Sequence, residues 1–342
     1  MNIVPDFSAV RPVVPPSPKE MLSVTRDGNQ TVVRINSSSL GIMLSCLRKS
    51  KYVLEDGLKA KTEAPALTYG TAIHKALEVF YSHPKAARSF PKNFNDHSDV
   101  MAHGSPAPEK HFLYDAISAF VTAAEPLRGL PDTDMRSIPT GIYLLQHYFK
   151  TYINDPYVIH CDDKGPMTER FCEAVFHEDE KLKVILFGTI DFVLKHEVNG
   201  NIIPGDHKTT SRLGNDFFIK CKPNHQYSAY IFLAQNALGI NTEDFIVNAL
   251  QVKAKPLTAR GTPPSFARQV TNRTPEDLEE LRQSVMFAVR AYLAAQESGV
   301  WPMGHVNECS SYGGCQFHDV CSAPANLRKN ILEHKFQTTK EI

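Results

Sequence analysis

The sequence predicts an α/β protein with a central mixed sheet and helices around it, on three observations. Residues 169–210 read as three consecutive strands, helical patterns both precede and follow them, and 42% apolar residues suffice for a substantial core. Taken in order, residues 1–35 are proline-rich at first and weakly β-like in TVVRI, with no evident chemistry. NSSSLGIMLSCLRKSKYVLEDGL (36–58) reads as one helix. Ser37 to Ser39 can cap it, and Leu40, Met43, Leu44 and Leu47 recur at helical spacing. LTYGTAIHKALEVFY carries a second helix over about 67–81. Residues 83–110 hold loop signals without a period, and two more helical patterns follow at about 111–124 and 140–153.

Near residue 169 the pattern changes. ERFCEAVF, KLKVILFGTIDFVLKHEV and NIIPGDHKTT alternate or run apolar, separated by the turn signals HEDE and NGN, which predicts a three-strand meander. NHQYSAYIFLAQNALG (224–239) is an amphipathic helix, and DFIVNALQVK and SFARQVT are strands. TPEDLEELRQSVMFAVRAYLAAQ is a helix capped by Thr274, with Pro275 at its first position.

At roughly 150 residues per domain, the 342 residues allow about two domains. The formal net charge is zero, which counts against a tight non-specific nucleic-acid binder but leaves room for a local basic groove. No apolar run reaches the ~20 residues of a membrane span, and the N-terminus lacks the pattern of a secretory signal. A soluble, cytoplasmic protein is expected (host cytoplasm for a viral chain). In that compartment seven cysteines argue against a disulfide framework.

The meander carries the chemistry. Asp191 interrupts the apolar strand VILFGTIDFVL, where an ionised carboxylate is costly unless it is paired or holds a metal. Alternation puts it with Thr189 and Val193, and Ile190 and Phe192 on the other face. In the next strand Asp206 and Lys208 are two apart and share a face. Two carboxylates and an ammonium at one sheet edge can hold Mg2+ or Mn2+ and orient a water. An Asp–Lys ion pair at a strand end is the competing reading. His74, on the second helix, could join a metal shell or serve as an ordinary structural histidine. Gln226 and Tyr230, four apart on the next helix, could support the lysine or form a plain amphipathic surface.

In order, G-x-x-x-H (Gly70, His74), G-x-x-D (Gly188, Asp191), D-x-K (Asp206, Lys208) and Q-x-x-x-Y (Gln226, Tyr230) resemble the RecB-like branch of the PD-(D/E)XK nucleases, over about residues 37–325. That resemblance implies a restriction-endonuclease-like fold with magnesium or manganese at His74, Asp191, Asp206 and the backbone carbonyl of His207. It makes Lys208 the catalytic lysine, with Gln226 and Tyr230 supporting it, and Glu173 an accessory candidate. The chain departs from the pattern at CLRK, where relatives have Cys-Pro-Arg, and in residues 83–168, a helical insertion. The division is an N-terminal extension (1–35), a nuclease domain (36–325) and a C-terminal tail (326–342).

Cys309, Cys315 and Cys321 fall within thirteen residues, a gathering of thiolates that suggests a soft metal. AddB-like and CRISPR-associated relatives bind a [4Fe-4S] cluster with one early and three late cysteines, and the resemblance implies the same for Cys46, Cys309, Cys315 and Cys321. Zinc, with His305 or His318 in reach, and unligated thiols are the rivals. The implied activity is exonucleolytic hydrolysis of DNA, on single strands or duplex ends, in recombination, repair, or phage or CRISPR processing. The implied partners are DNA, recombination or CRISPR-associated proteins, and copies of the chain itself. A non-cutting DNA- or partner-binding module predicts a degraded acidic set, and a small-substrate hydrolase predicts a His-rich centre.

Overall fold

The computed structural model describes residues 21–83, 90, 91, 94, 101, 111–255, 262–310 and 314–339. The proline-rich start and most of the 83–110 loop expected from sequence lie outside them. A hairpin opens the fold: β1 (Leu22–Asp27) and β2 (Gln30–Asn36) turn at Gly28, whose φ of 58° suits glycine. β3 (Leu58–Ala60) and β4 (Tyr157–Ile159) are short, and β5 (Cys161–Asp162) and β6 (Gly165–Pro166) pair only with each other. The meander is β7 (Thr168–Glu178), β8 (Leu182–His196) and β9 (Ile202–Thr210). β10 (Asp244–Gln251) and β11 (Phe266–Asn272) complete an eight-stranded sheet of order β1-β2-β8-β9-β10-β11, with β4 and β7 also on β8. The sheet is mixed: β2 runs parallel to β8 and β9 parallel to β10, and the other pairs are antiparallel. The N-terminal hairpin is therefore part of the sheet, although the sequence division ended the extension at residue 35.

The predicted first helix is broken. α1 (Ser37–Ser45) is capped by Asn36, not by the serines, and Ser39 completes the capping box. The chain then extends at Cys46 (φ −164°) before α2 (Leu47–Ser50) and a π-turn over Lys51–Glu55. The interruption has a partner: the Arg48 N–H donates to the Pro302 carbonyl at 3.0 Å, so a distant segment takes an amide the helix would have used. α3 (Pro65–Ser82), α4 (Phe112–Ala123) and α5 (Ile138–Tyr152) follow. After β9 come a short α6 (Asn215–Phe218) and α7 (His225–Ala237), and after β11 a long α8 (Pro275–Ser298), whose Thr274 cap and Pro275 start match expectation.

Two cores sandwich the sheet. On one face α3, α4 and α5 bury Ile73, Leu77, Phe80, Ile117, Leu145 and Phe149 against Phe192, Leu194, Ile246 and Leu250. On the other, α1, α7 and α8 bury Leu40, Ile231, Leu233, Val285 and Val289 against Val33, Leu186, Ile190, Phe245 and Val247. β10 alternates between the faces as a central strand should. The helical insertion thus supplies half of one core and is no appendage. Ile190 and Phe192, expected on one face, enter different cores, with Val193 joining Ile190. The alternation slips at Asp191, where β8 exchanges one neighbour for another.

A small third core joins Tyr52 and β3 to the last described segments of the chain. α9 (Val306–Ser310), α10 (His318–Ser322) and α11 (Ala325–Lys335) lead to β12 (Phe336–Thr338), which pairs antiparallel with β3. Phe317 stacks on Phe336 at 4.5 Å and packs with Tyr52 and Val320. The segment read as a polar tail is therefore a helix and a strand whose Phe336 is buried.

Candidate active site

β7 and β4 take one edge of β8, and the other edge is shared between two partners: β2 pairs along Leu182–Phe187, and β9 along Phe192–Lys195. Gly188–Asp191 lie between them, at the opening where β2 leaves. The β8–β9 register, Gly205 opposite Phe192, carried one step further sets Asp206 opposite Asp191. The His207 N–H donates to Asp191 Oδ2 at 2.7 Å, which ties the two strands at this point. Lys208 emerges on the same face as Asp206, with Nζ 2.6 Å from Asp206 Oδ2. From α3, His74 Nε2 lies 2.9 Å from the His207 carbonyl oxygen, and Nδ1 lies 3.3 Å from Asp191 Oδ2. The fold thus gathers His74, Asp191, Asp206, Lys208 and the His207 carbonyl, from one helix and two strands, into one place.

Gln226 and Tyr230 on α7 close the side. Gln226 Nε2 donates to the Tyr230 hydroxyl at 3.3 Å, and Ser37 at the start of α1 also bonds Tyr230. Burial first, then the Asp206 and Asp191 charges, hold the Tyr230 phenol well above its ordinary pKa. Gly188 is needed for this approach, since a Cβ there would stand 2.9 Å from the Tyr230 ring.

Glu169 was missed in the sequence. It stands on β7 between Thr168, which pairs with Phe192, and Arg170, which pairs with Ile190, and so across from Asp191. Its ligand oxygen, with His74 and Asp191, belongs to a group whose ligand atoms all lie within 4.8 Å of one another. Its φ of 45° is rare for a non-glycine residue and recurs at functional sites. The expected accessory, Glu173, instead pairs with Arg34, opposite Phe187. Both acids lie on one face by alternation. Four residues of strand, about 13 Å, separate them.

Asp191, Asp206 and Glu169 therefore share the opening with Lys208 and His74, and the Lys75–Glu78 ion pair on α3 lies within electrostatic reach of Glu169. Burial, then the charges of Asp191 and Glu78, push Glu169 up to about 8. Burial raises Asp191 to about 6; His74 works against that shift and Asp206 adds to it. Burial opposes the charge on Lys208, but Asp206 and Asp191 outweigh it and hold its pKa above the ordinary lysine value. Asp206 Oδ2 is buried without an aligned hydrogen bond, leaving the Lys208 ammonium as its neighbour. A divalent cation fits this donor set. Hard carboxylate and carbonyl oxygens with a single imidazole suit magnesium or manganese, and a cation would relieve the crowding that raises the two acids.

That crowding has a measurable consequence. Glu169 is raised in the folded state, so between its unfolded pKa of about 4.5 and about 8 the native protein holds the extra proton. Stability falls as pH rises through that window. In chelator-treated protein, the melting temperature is expected to drop between about pH 7 and 8.5, above the range where histidines titrate. Glu169→Gln should flatten the drop. A wild-type curve that is level there, or an equal drop in the variant, would show that Glu169 is not held in this cluster.

The cysteines converge elsewhere. Cys46, Cys309, Cys315 and Cys321 line one pocket beside Tyr52, Gly304 and Phe317, and all four are free thiols. The Gly304 N–H donates to Cys46 Sγ at 3.1 Å, and a Cβ on Gly304 would meet the Ser45 carbonyl oxygen at 2.4 Å. No three of the four sulfurs lie within 4.8 Å of one another among the described residues. Cys172 and Cys221 are buried apart from the pocket, and Cys161 is exposed.

The sequence model of the PD-(D/E)XK nuclease superfamily matches residues 34–322. A search of curated proteins returned no match. Among the described residues, no helix is long and apolar enough to cross a membrane.

Proposed function

The chain belongs to the PD-(D/E)XK nuclease superfamily, and from that premise we propose that it is a magnesium- or manganese-dependent exonuclease of the RecB-like type. Its substrate in this reading is single-stranded DNA or duplex ends, in recombination, repair, or phage or CRISPR DNA processing. The observation that carries the proposal is the meeting of His74, Asp191, Asp206, Lys208 and the His207 carbonyl at the β8–β9 opening. His74, Asp191, Asp206 and the His207 carbonyl would hold the cation, with Glu169 as a further oxygen donor. When bound, such a cation supplies Lewis acidity at a phosphoryl oxygen and lowers the pKa of a coordinated water. The Lys208 ammonium, fixed by Asp206, hydrogen-bonds the attacking water and offsets charge gathering on the phosphate. Tyr230, within reach of the Asp206 and Asp191 charges, and Gln226 bonded to it would present polar groups to the scissile strand.

The test is incubation of the reduced protein with end-labelled single- and double-stranded DNA, with and without Mg2+ or Mn2+. Metal-dependent release of mononucleotides or short oligonucleotides from an end is expected. DNA left intact under every metal-replete condition removes the enzyme reading.

The four-cysteine pocket supports a [4Fe-4S] cluster as the second part of the proposal. Four thiols drawn from both ends of the nuclease domain into one pocket match the all-cysteine ligation of such a cluster, and the Gly304 N–H supplies a hydrogen bond to one sulfur. Anaerobically purified protein should be brown and carry about four irons per chain, and Cys309→Ala should lose them. A colourless, iron-free but folded wild type contradicts the cluster.

A further inference from the structure

His207 turns its ring away from Asp206 and Lys208, into the core on the far face of β9. The imidazole is 3% exposed and rests against Tyr81 and Phe192, with ring centroids 5.5 and 4.5 Å away. Beside it, in direct register, stand Asn248 on β10 and Arg268 on β11. Asn248 Nδ2 lies 2.7 Å from His207 Nδ1 and donates to the Tyr148 hydroxyl at 2.7 Å. Arg268 Nε donates to Asn248 Oδ1 at 3.3 Å. A guanidinium has only donors, so Arg268 must face the amide oxygen, and that choice turns the amide nitrogen toward His207. His207 Nδ1 must then accept, which leaves its proton on Nε2. Arg268 is itself fixed by an ion pair with Asp155, a bond to the Tyr81 hydroxyl at 2.6 Å, and the Tyr152 ring, whose centroid lies 4.0 Å from the guanidinium carbon.

This buried row meets the site through one residue. The backbone N–H of His207 is committed to Asp191, its carbonyl faces His74, and its ring is held by Asn248. The ring contact thus adds a side-chain anchor to the two backbone contacts of the same residue. Packing alone does not ask for a polar row: Ile246 and Leu250, on the same face of β10, fill this core with apolar groups.

We propose that Asn248, oriented by Arg268, is a positioning residue that clamps His207 so that its carbonyl is held ready as a ligand beside His74. The proposal rests on the metal-nuclease reading above. Its test uses two readouts that need no DNA: the His207 tautomer by 15N NMR, assigned by its loss in His207→Phe, and Mn2+ affinity by titration calorimetry. Wild-type His207 should show the Nε2–H form. Asn248→Asp, which can only accept, should reverse it to Nδ1–H and weaken Mn2+ binding about tenfold, the usual scale for a group one bond behind a ligand. Tyr148→Phe keeps the ring packing, removes one anchor of the amide, and should weaken binding less; it decides the matter if Asn248→Asp does not fold. An Nδ1–H form in wild type, or Mn2+ affinity in the folded variants indistinguishable from wild type, overturns the clamp alone. A wild type that binds no Mn2+ overturns the metal-site reading and the clamp with it.

Discussion

Asp206→Ala is expected to lower the rate of DNA cleavage by at least about 10³-fold while leaving the protein folded. Asp206 is 2% exposed, contributes one of three carboxylates at the opening, and anchors the Lys208 ammonium at 2.6 Å. Its removal therefore takes away a cation donor and the fixed position of the lysine together. Cation stabilisation of a phosphoryl transition state amounts to several kcal/mol, and about 4 kcal/mol is a factor of roughly 10³. Folding should not suffer equally, because Asp206 is among the charges that raise both Asp191 and Glu169. The variant relieves that repulsion, as removal of a crowded functional carboxylate often does. Cleavage of end-labelled DNA at saturating Mg2+, with a thermal melt beside it, checks both halves. Wild-type cleavage by the variant would show the site assignment to be wrong, and loss of the folded state would show Asp206 to be structural.

Arg268→Met is expected to produce the largest loss of stability of any single change in the polar row, about 3–5 kcal/mol. The arginine side chain is 14% exposed and its partner Asp155 only 3%. Its pKa stands well above the ordinary value despite burial, which opposes its charge, because Tyr81, Tyr148 and Asp155 outweigh that cost. Methionine fills the space and strands the Asp155 carboxylate, whose other described bond is from the Tyr157 N–H at 3.0 Å. Adding Asp155→Asn in the Arg268→Met background should therefore recover part of the loss, since a neutral amide is cheaper to bury than an unpaired charge. Urea unfolding of the single and double variants measures it. A single variant within about 1 kcal/mol of wild type would mean that water reaches the pair and that burial does not govern it.

The elements that could be read from sequence are those whose pattern is local. β9, α7 and α8 carry a local period or a cap, and β7 and β8 read as strands from their apolar runs although their alternation is broken, so Thr274 with Pro275, and the pair Asp206 and Lys208, needed nothing distant to be recognised. What escaped depends on tertiary register. Glu169 looks like any acid at the start of a strand; only the pairing of β7 with β8 sets it across from Asp191 and sends Glu173 to Arg34. The break at Cys46 is hidden in a helical pattern, because the group that accepts the freed Arg48 amide, the Pro302 carbonyl, lies 254 residues away. Asn248 in an apolar strand and the lone Arg268 in SFARQVT carry no signal singly. Their meaning appears when β9, β10 and β11 lie side by side.

The small core that joins Tyr52 and β3 to Phe317 and Phe336, with Cys46, Cys309, Cys315 and Cys321 in the pocket beside it, bears on the order in which the protein is made. Cys46 leaves the ribosome some 260 residues before Cys309, and at about 5–20 residues per second that is a wait of roughly 13–52 s. β3 waits longer still for β12. The sheet and both helical layers are complete by the end of α8 at Ser298, so synthesis first yields a sandwich whose early thiol has no companions. Ribosome-bound chains arrested after Ser298 should carry the main sheet with Cys46 open to alkylation, and its protection should arise only once the last cysteine has been translated.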